Sequence, residues 1–270
     1  MKSNSFLNDN KYINKETLPY YANTNEEHLV LPVKGIVLEF PGLGGGSCLG
    51  GNMERESYST PWAKRFGKKG IISAYLFPGP WSWGNKGAVR MADAVVSAVM
   101  EKYKQDFDIP VAVCGGSMGG VGALIYAADS RYNLCAVAAA CPCVDVAGNI
   151  SEVPEFARTY ISAAAVYDTE LKDALMKFSP MHRTDDMQKT SYFICSDGED
   201  EVFPEGECDS FVEKLKSYGH RVEYHKQPGL HHGEFLTEVR ERLHLSLENA
   251  ILKSFEKQYN GHKTLSENIS

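Results

Sequence analysis

The sequence has no long apolar stretch. No run in its 270 residues approaches the roughly 18 apolar positions that a membrane-spanning helix needs. Residues 1–10 are polar and lack the apolar core of a secretory signal. We therefore expect a soluble, cytoplasmic protein with no membrane partner.

Positive charge is also scarce. The chain carries 28 Lys and Arg against 35 Asp and Glu, which gives a net charge of −7. This charge would repel the phosphates of nucleic acids and of anionic lipids. We therefore expect a small-molecule partner and no nucleic acid, and the sequence gives no indication of oligomeric state.

The seven cysteines do not form a metal-binding pattern. Cys141 and Cys143 flank a proline, but no second Cys/His pair stands at the spacing of a zinc site. Cys114 and Cys195 lie in apolar runs, as buried reduced thiols do, rather than in the loops that favour disulfides. We expect neither a metal nor a cofactor.

Apolar runs and amphipathic segments alternate along most of the chain. Short apolar runs that end in loops predict buried parallel strands, and the segments between them have helical periodicity. The predicted strands are 33–40, 71–77, 111–114, 136–140, 192–195 and 221–226, and the predicted helices are 61–68, 88–104, 120–128, 207–218 and 234–255. The alternation predicts an α/β fold, a single domain over residues 1–270 whose mostly parallel sheet has helices on both faces.

Two stretches interrupt this alternation. A weak two-residue period around residues 12–21 predicts an N-terminal hairpin. Residues 141–190 separate two predicted strands by about fifty positions, far more than a usual connection, and contain helical patterns at 155–166 and 169–178. We expect this insert to be a small helical cap whose aromatic residues could close a pocket. Those residues are Phe156, Tyr160, Tyr167 and Phe178.

The strand at 111–114 runs into a G-x-S-x-G pattern, Gly115-x-Ser117-x-Gly119. A sharp strand-to-helix turn crowds the neighbours of its central residue, so glycine is needed on both sides. The helix that follows points free N–H groups at the same place, and the amide of Met118 can donate to an oxyanion. Ser117 is therefore a candidate nucleophile. The alternative is that Ser117 only caps the helix.

A serine hydroxyl needs a base to remove its proton and normally an acid to orient that base. Two loops after later predicted strands contain such groups: Ser196-Asp-Gly-Glu-Asp-Glu-Val-Phe-Pro204 and Gln227-Pro-Gly-Leu-His-His-Gly-Glu-Phe235. Because the C-terminal ends of parallel strands meet at one edge of a sheet, both loops should lie beside Ser117.

Taken in this order, the loops resemble those of the α/β-hydrolase superfamily, particularly its prolyl-oligopeptidase-like and acetyl-esterase-like branches. The resemblance spans roughly residues 33–256 and is carried by Pro41-Gly-Leu-Gly-Gly, Gly115-Gly-Ser-Met-Gly-Gly, Gly198-Glu-Asp-Glu-Val-Phe-Pro and Pro228-Gly-Leu-His-His-Gly. It implies the α/β-hydrolase fold, with Asp200 in the position of the acid and His232 in the position of the base.

Each of these two positions has a competitor. Asp197 would be the acid if the loop register were shifted, and Asp145 follows an earlier predicted strand, where some hydrolases carry theirs. His231 adjoins His232 and must point elsewhere if His232 is the base.

The loop Pro41–Gly46 is rich in glycine, as a backbone that approaches a substrate closely must be. The resemblance implies that the amide of Leu43 is the second oxyanion donor, because Leu43 follows the position that matches the family's His-Gly pair. The resemblance departs here, because the family commonly has histidine in the place of Pro41, and proline has no N–H to donate. A phosphate-binding loop is disfavoured, since no lysine follows the glycines.

Two tryptophans, Trp81 and Trp83, follow the strand predicted at 71–77. We expect them to form an aromatic wall at the mouth of the site and to contact substrate. The alternative is that they only pack against the cap.

Together these residues predict a serine hydrolase that cleaves a carboxylic ester of a small acyl group through an acyl-enzyme intermediate. A small serine exopeptidase of the prolyl-oligopeptidase type is one alternative, because the loops around Asp200 and His232 resemble those enzymes equally. A non-catalytic protein that uses the same pocket to bind a ligand is another. It is disfavoured because Ser117, Asp200 and His232 are all present.

Overall fold

The computed structural model describes residues 12–43, 58–104 and 109–267. In this part of the chain, one sheet has the strand order β1-β3-β2-β4-β5-β6-β7, and only β1 is antiparallel to its neighbour. The strands are β1 (Ala22–Thr24), β2 (Gly35–Phe40), β3 (Ile71–Leu76), β4 (Val111–Gly116), β5 (Leu134–Ala140), β6 (Ser191–Asp197) and β7 (Arg221–Gln227). The helices are α1 (Pro61–Lys68), α2 (Lys86–Tyr103), α3 (Met118–Asp129), α4 (Val146–Glu152), α5 (Pro154–Ala164), α6 (Leu171–Lys177), α7 (Glu207–Ser217) and α8 (Thr237–Glu267).

Successive side chains of each strand point to opposite faces of the sheet, and helices cover both faces. Val37 of β2 packs in a core cluster with residues of α1 and α8. Its neighbours Ile36 and Leu38 pack in another cluster, with residues of α2, α3 and α7. Helix α8 lies so close to β2 that a Cβ on Gly35 would overlap the side chain of Ile251. The predicted α/β-hydrolase fold is confirmed.

Local signals set the beginnings of the helices. Helix α1 begins at Pro61, directly after Thr60, whose hydroxyl accepts the N–H of Ala63 at 3.3 Å. Helix α2 follows Asn85, whose side-chain oxygen accepts the N–H groups of Gly87 and Ala88 at 3.1 Å. This cap starts α2 at Lys86, two residues before the predicted start.

The N-terminal hairpin predicted around residues 12–21 is wrong. Leu18–Tyr20 is a single 3₁₀ turn, and only β1 joins the sheet, beside β3. The apolar residues behind the prediction, including Ile13 and Leu18, are buried against the core instead of pairing with one another.

Helix α8 is longer than predicted, because it continues to Glu267, past Ile251, which is the last buried residue in the part of the helix whose burial is described. An exposed helical segment needs no apolar period, so the period ended before the helix did. Of the helices formed by described residues, none combines the length and the apolar character needed to cross a membrane.

The insert at 141–190 contains α4, α5, α6 and a 3₁₀ turn at Pro180–His182. It packs on the loops that follow β3 and β6. The ring of Tyr160 meets Trp83 edge-on, with centroids 4.6 Å apart, and Phe156 lies 6.1 Å from Phe203. The insert therefore lies beside the predicted site, and its action as a cap stays a prediction.

Candidate active site

Ser117 forms the turn between β4 and α3, with φ 54° and ψ −124°. A positive φ strains a residue that has a side chain. The neighbours allow this turn only because they are glycine. A Cβ on Gly115 would overlap the carbonyl group of Gly119, and a Cβ on Gly119 would overlap the carbonyl oxygen of Phe40. The turn presents Ser117 at the C-terminal edge of the sheet.

Three loops bring an acid, an imidazole and a hydroxyl into contact. Nε2 of His232 lies 2.9 Å from Oγ of Ser117, and Nδ1 of His232 lies 2.9 Å from Oδ2 of Asp200. The side chains of His232 and Asp200 are only 15% and 14% exposed. This arrangement is able to remove a proton from the hydroxyl and to stabilise the charge that then develops on the ring.

The carboxylate of Asp200 is oriented by its own loop. Its Oδ1 accepts the N–H groups of Val202 at 2.8 Å and of Phe203 at 3.0 Å. Burial raises the pKa of Asp200, but the hydrogen bond and charge of His232 and the two amide hydrogen bonds outweigh burial and lower that pKa below its ordinary value. Asp200 is therefore ionised and accepts a hydrogen bond from His232.

Hydrogen bonds also fix the loops that contain Asp200 and His232 to each other. The N–H of Gly198 donates to the carbonyl oxygen of Gln227 at 2.7 Å. Asp197 accepts the side-chain amide of Gln227 at 2.9 Å and the N–H of Gly233 at 2.8 Å. Asp197 therefore holds the loop of the imidazole in place, and Asp200 is the carboxylate in contact with His232. The role of Asp200 as the acid stays a prediction.

The remaining competitors have other partners. Asp145 caps α4, where its Oδ1 accepts the N–H of Gly148 at 3.0 Å. His231 is 60% exposed, and its Nδ1 lies 3.3 Å from Oε2 of Glu201. Neither forms a hydrogen bond with Ser117 or His232 in the described part of the chain.

The two predicted oxyanion donors lie on either side of the turn. Met118 is the first residue of α3, so its N–H belongs to the group that has no partner within the helix. Leu43 is half-buried, and a Cβ on the adjacent Gly42 would lie 3.5 Å from the carbonyl oxygen of Gly116. The glycines at 44–46 lie outside the described residues. The oxyanion roles of both amides stay predictions.

The two tryptophans differ from each other. Trp81 is half-buried, with the guanidinium of Arg158 lying 5.5 Å from the centre of its ring. Trp83 is completely buried, and its Nε1–H donates to Oγ1 of Thr159 at 3.0 Å. The prediction that Trp83 lines the mouth of the site is therefore wrong, because α5 of the insert covers its ring. Trp81 stays a candidate for substrate contact.

Sequence reasoning missed an aromatic residue that contacts His232. The ring of Phe203 stands edge-on to His232, with centroids 5.1 Å apart, and it links His232 to Phe156 of the insert. The available signal was the position of Phe203 in the same short loop as Asp200. Its direction could not be inferred, since it depends on how the insert packs.

Cys141, the residue directly after β5, also lies at the site. It is 4% exposed and has a positive φ of 38°. Its Sγ, a carboxylate oxygen of Asp197 and a ring nitrogen of His232 all lie within 4.8 Å of one another. Burial raises the pKa of the Cys141 thiol well above its ordinary value, so the thiol is protonated.

Comparisons with known proteins support the same fold. The model of the family described as "Prolyl oligopeptidase family" matches residues 81–257, whereas no curated protein sequence matches the chain. Puromycin hydrolase is similar in structure, with a TM-score of 0.63 and 21% identity over 83% of this chain and 34% of that chain. An inhibited esterase B from Lactobacillus rhamnosis has a TM-score of 0.58 and 14% identity over 86% of this chain and 80% of that chain.

The acylaminoacyl peptidase of Pyrococcus horikoshii is a third similar structure. It has a TM-score of 0.59 and 15% identity over 79% of this chain and 36% of that chain. The chain thus spans about a third of the length of puromycin hydrolase and of the acylaminoacyl peptidase and most of the length of the esterase. Because the sequence identities are this low, these structural similarities show a shared fold.

Proposed function

Because the chain belongs to the prolyl oligopeptidase family of serine hydrolases, we propose that it hydrolyses carboxylic esters of small acyl groups through an acyl-enzyme intermediate. The observation that carries this proposal is the continuous set of contacts from Asp200 through His232 to Ser117, at 2.9 Å and 2.9 Å.

In the first half of the reaction, Oγ of Ser117 attacks the carbonyl carbon of the ester while Nε2 of His232 takes the hydroxyl proton. The distance of 2.9 Å is within the reach of a general base. The ionised Asp200 holds Nδ1–H and stabilises the imidazolium that forms. The amides of Met118 and Leu43 are the proposed donors to the oxyanion.

Collapse of the tetrahedral intermediate releases the alcohol, which receives its proton from Nε2 of His232. The acyl group is then esterified to Ser117. A water molecule repeats the attack with His232 as its base, and the carboxylic acid leaves as Ser117 regains its proton. Each step uses the same pair of contacts, so no further titratable group is required.

The aromatic side chains beside the base support a small acyl group. Phe203 lies against the imidazole, and Phe156 of the insert lies against Phe203. An added methylene gains about 0.8 kcal/mol only where apolar room remains to bury it. We therefore expect p-nitrophenyl acetate and butyrate to have a higher kcat/KM than the octanoate. A kcat/KM that still rises at octanoate would contradict the small pocket.

The second candidate function is that of a small serine exopeptidase. The family name and the names of two similar structures, puromycin hydrolase and acylaminoacyl peptidase, favour it. Aminoacyl and prolyl p-nitroanilides assayed beside the esters distinguish the two. If kcat/KM is higher for the anilides than for the esters, the proposed activity becomes that of a peptidase. The proposed roles of Ser117 and His232 would not change.

A fluorophosphonate probe tests the nucleophile without assuming a substrate. We expect the probe to label the wild-type protein and not Ser117→Ala, since Ser117 is the hydroxyl in contact with the imidazole. Ser210→Ala is a matched control, because the hydroxyl of Ser210 in α7 bonds a backbone carbonyl instead. Labelling of Ser117→Ala would contradict the assignment of Ser117 as the nucleophile.

A further inference from the structure

The fold brings together three side chains of the types that bind transition metals. Cys141 follows β5, Asp197 ends β6, and His232 lies in the loop after β7. One potential ligand atom from each, a sulfur, an oxygen and a nitrogen, lies within 4.8 Å of the other two. The spacing of Cys and His along the sequence could not reveal this set, because its members come from three separate strand ends.

A second observation concerns the space next to these residues. A cavity of about 300 Å³ has Cys141 and Asp197 in its wall. The other acidic residues of the wall are Glu199, Asp200, Glu205, Glu207 and Asp209. Lys226 is the cation among the lining residues, and it is paired with Asp209 at 3.0 Å. Such a wall concentrates cations beside the three side chains.

We propose that Cys141, Asp197 and His232 form an inhibitory binding site for Zn²⁺. Only the inhibitory effect rests on the proposed function, since the binding of the ion does not require any turnover.

The ligand set selects the ion. Zn²⁺ accepts a thiolate, an imidazole and a carboxylate together, whereas Mg²⁺ and Ca²⁺ prefer oxygen alone. Ligand atoms around tetrahedral zinc are about 3.5 Å apart. Starting from at most 4.8 Å, each pair of ligand atoms would have to approach by no more than about 1.3 Å. Three protein ligands leave a fourth position open for water.

Binding requires one proton to leave. The thiol of Cys141 forms a sulfur–zinc bond as its S–H bond breaks, and the proton goes to solvent. Asp197 enters as a carboxylate and His232 as the neutral imidazole. If Nδ1 binds the ion, its proton moves to Nε2 of the same ring, so the net loss is still one proton and no electron is transferred.

Occupation of the site would stop the hydrolysis, whichever ring nitrogen of His232 binds the ion. Nε2 contacts Ser117 and Nδ1 contacts Asp200. Coordination of Nε2 removes the base, and coordination of Nδ1 breaks the contact that orients it.

Cys143, which flanks the same proline as Cys141, has a different environment. Sγ of Cys143 lies 3.5 Å from the hydroxyl of Tyr160 and 3.3 Å from the side-chain amide of Asn149. Cys135 belongs to β5 and lies near the end of the strand that is opposite to Cys141. Cys135→Ala is therefore a control that removes a thiol away from the proposed site.

The first experiment titrates ZnCl₂ into the esterase assay in a buffer that does not chelate metals. We expect inhibition that EDTA reverses. Cys141→Ser, which retains the size of the side chain, should need a zinc concentration more than about tenfold higher, since even loss of an outer partner of a ligand weakens metal binding by that factor. Cys135→Ala should behave as the wild type. Equal inhibition of the wild type and Cys141→Ser would overturn the proposal.

The second experiment needs no turnover. Co²⁺ is added to Ser117→Ala, and we expect a sulfur-to-cobalt charge-transfer band that disappears on addition of Zn²⁺. The band should be absent from the double variant Ser117→Ala with Cys141→Ser and retained in that with Cys135→Ala. If the assay finds no ester hydrolysis, this band still decides the metal site. Its absence from Ser117→Ala would overturn the site even if ester hydrolysis is found.

Discussion

At the scale of single residues, the adjacent His231 and His232 have opposite environments. His232 lies between Ser117 and Asp200, while His231 is exposed beside Glu201. We expect His232→Ala to lower the turnover of p-nitrophenyl acetate by about 10³-fold or more, because loss of a proton-transfer residue leaves only the oxyanion donors and binding. His231→Ala should cost far less. The reverse ranking in steady-state assays would transfer the role of base to His231.

The same scale separates what the sequence can predict from what it cannot. Ser117, Asp200 and His232 each follow the end of a strand, and the parallel sheet brings those ends together, so their contact could be predicted from chain order. The burial of Trp83 and the proximity of Cys141 to His232 could not be predicted from the sequence. Both depend on how side chains from distant segments pack, and no local pattern encodes such packing.

At the scale of elements, the turn between β4 and α3 depends on Gly119. A Cβ there would overlap the carbonyl oxygen of Phe40, which is backbone and cannot rotate away. We expect Gly119→Ala to lower the free energy of unfolding by about 1–3 kcal/mol, the cost of overpacking. The expected change would be seen as a lower urea midpoint, together with loss of fluorophosphonate labelling at Ser117.

Gly261→Ala in α8 is the matched control for that substitution. Nothing lies within 4 Å of a Cβ at Gly261, and alanine favours the helix by up to about 1 kcal/mol over glycine. Its urea midpoint should therefore stay unchanged or rise. A fall as large as that of Gly119→Ala would show that the loss of glycine, and not the overlap with Phe40, is responsible.

Elements differ in how far their bounds could be predicted. The bounds of α1 agree with the sequence prediction, because Thr60 and Pro61 mark its start. Those of α8 and of the N-terminal segment do not agree. In both cases the apolar period indicates which residues are buried. The buried residues do not begin and end where the helix or strand begins and ends, so the period could not give its bounds.

At the scale of the whole molecule, stability should depend on pH through His244. This residue is 8% exposed and stacks on Trp62 with ring centroids 4.7 Å apart. Burial, with the positive charge of Arg65, lowers the pKa of His244 from 6.5 to about 4. Between these two values the unfolded chain binds a proton that the folded protein does not. The free energy of unfolding therefore falls as the pH falls through this window, by up to about 3 kcal/mol in total.

His244→Phe tests this linkage, because phenylalanine retains a ring beside Trp62 and cannot be protonated. We expect urea unfolding of the wild type to show a steeper loss of stability between pH 6.5 and about 4 than that of the variant. Above this window His244 is neutral in both states, so the difference between the two proteins should no longer change with pH. Parallel pH profiles throughout the window would rule out His244 as its source.

The position of α8 in the chain has a consequence for the protein during its synthesis. Residues of α8 that pack against the sheet, such as Leu247 and Ile251, emerge from the ribosome after the loop that contains His232. They bury strand residues such as Val37 and Ala112, which are synthesised much earlier. Contacts so distant along the chain form late in folding. A nascent chain that has already exposed Ser117 and Asp200 therefore lacks both His232 and one face of its core. We expect it to gain hydrolytic activity only after α8 has docked.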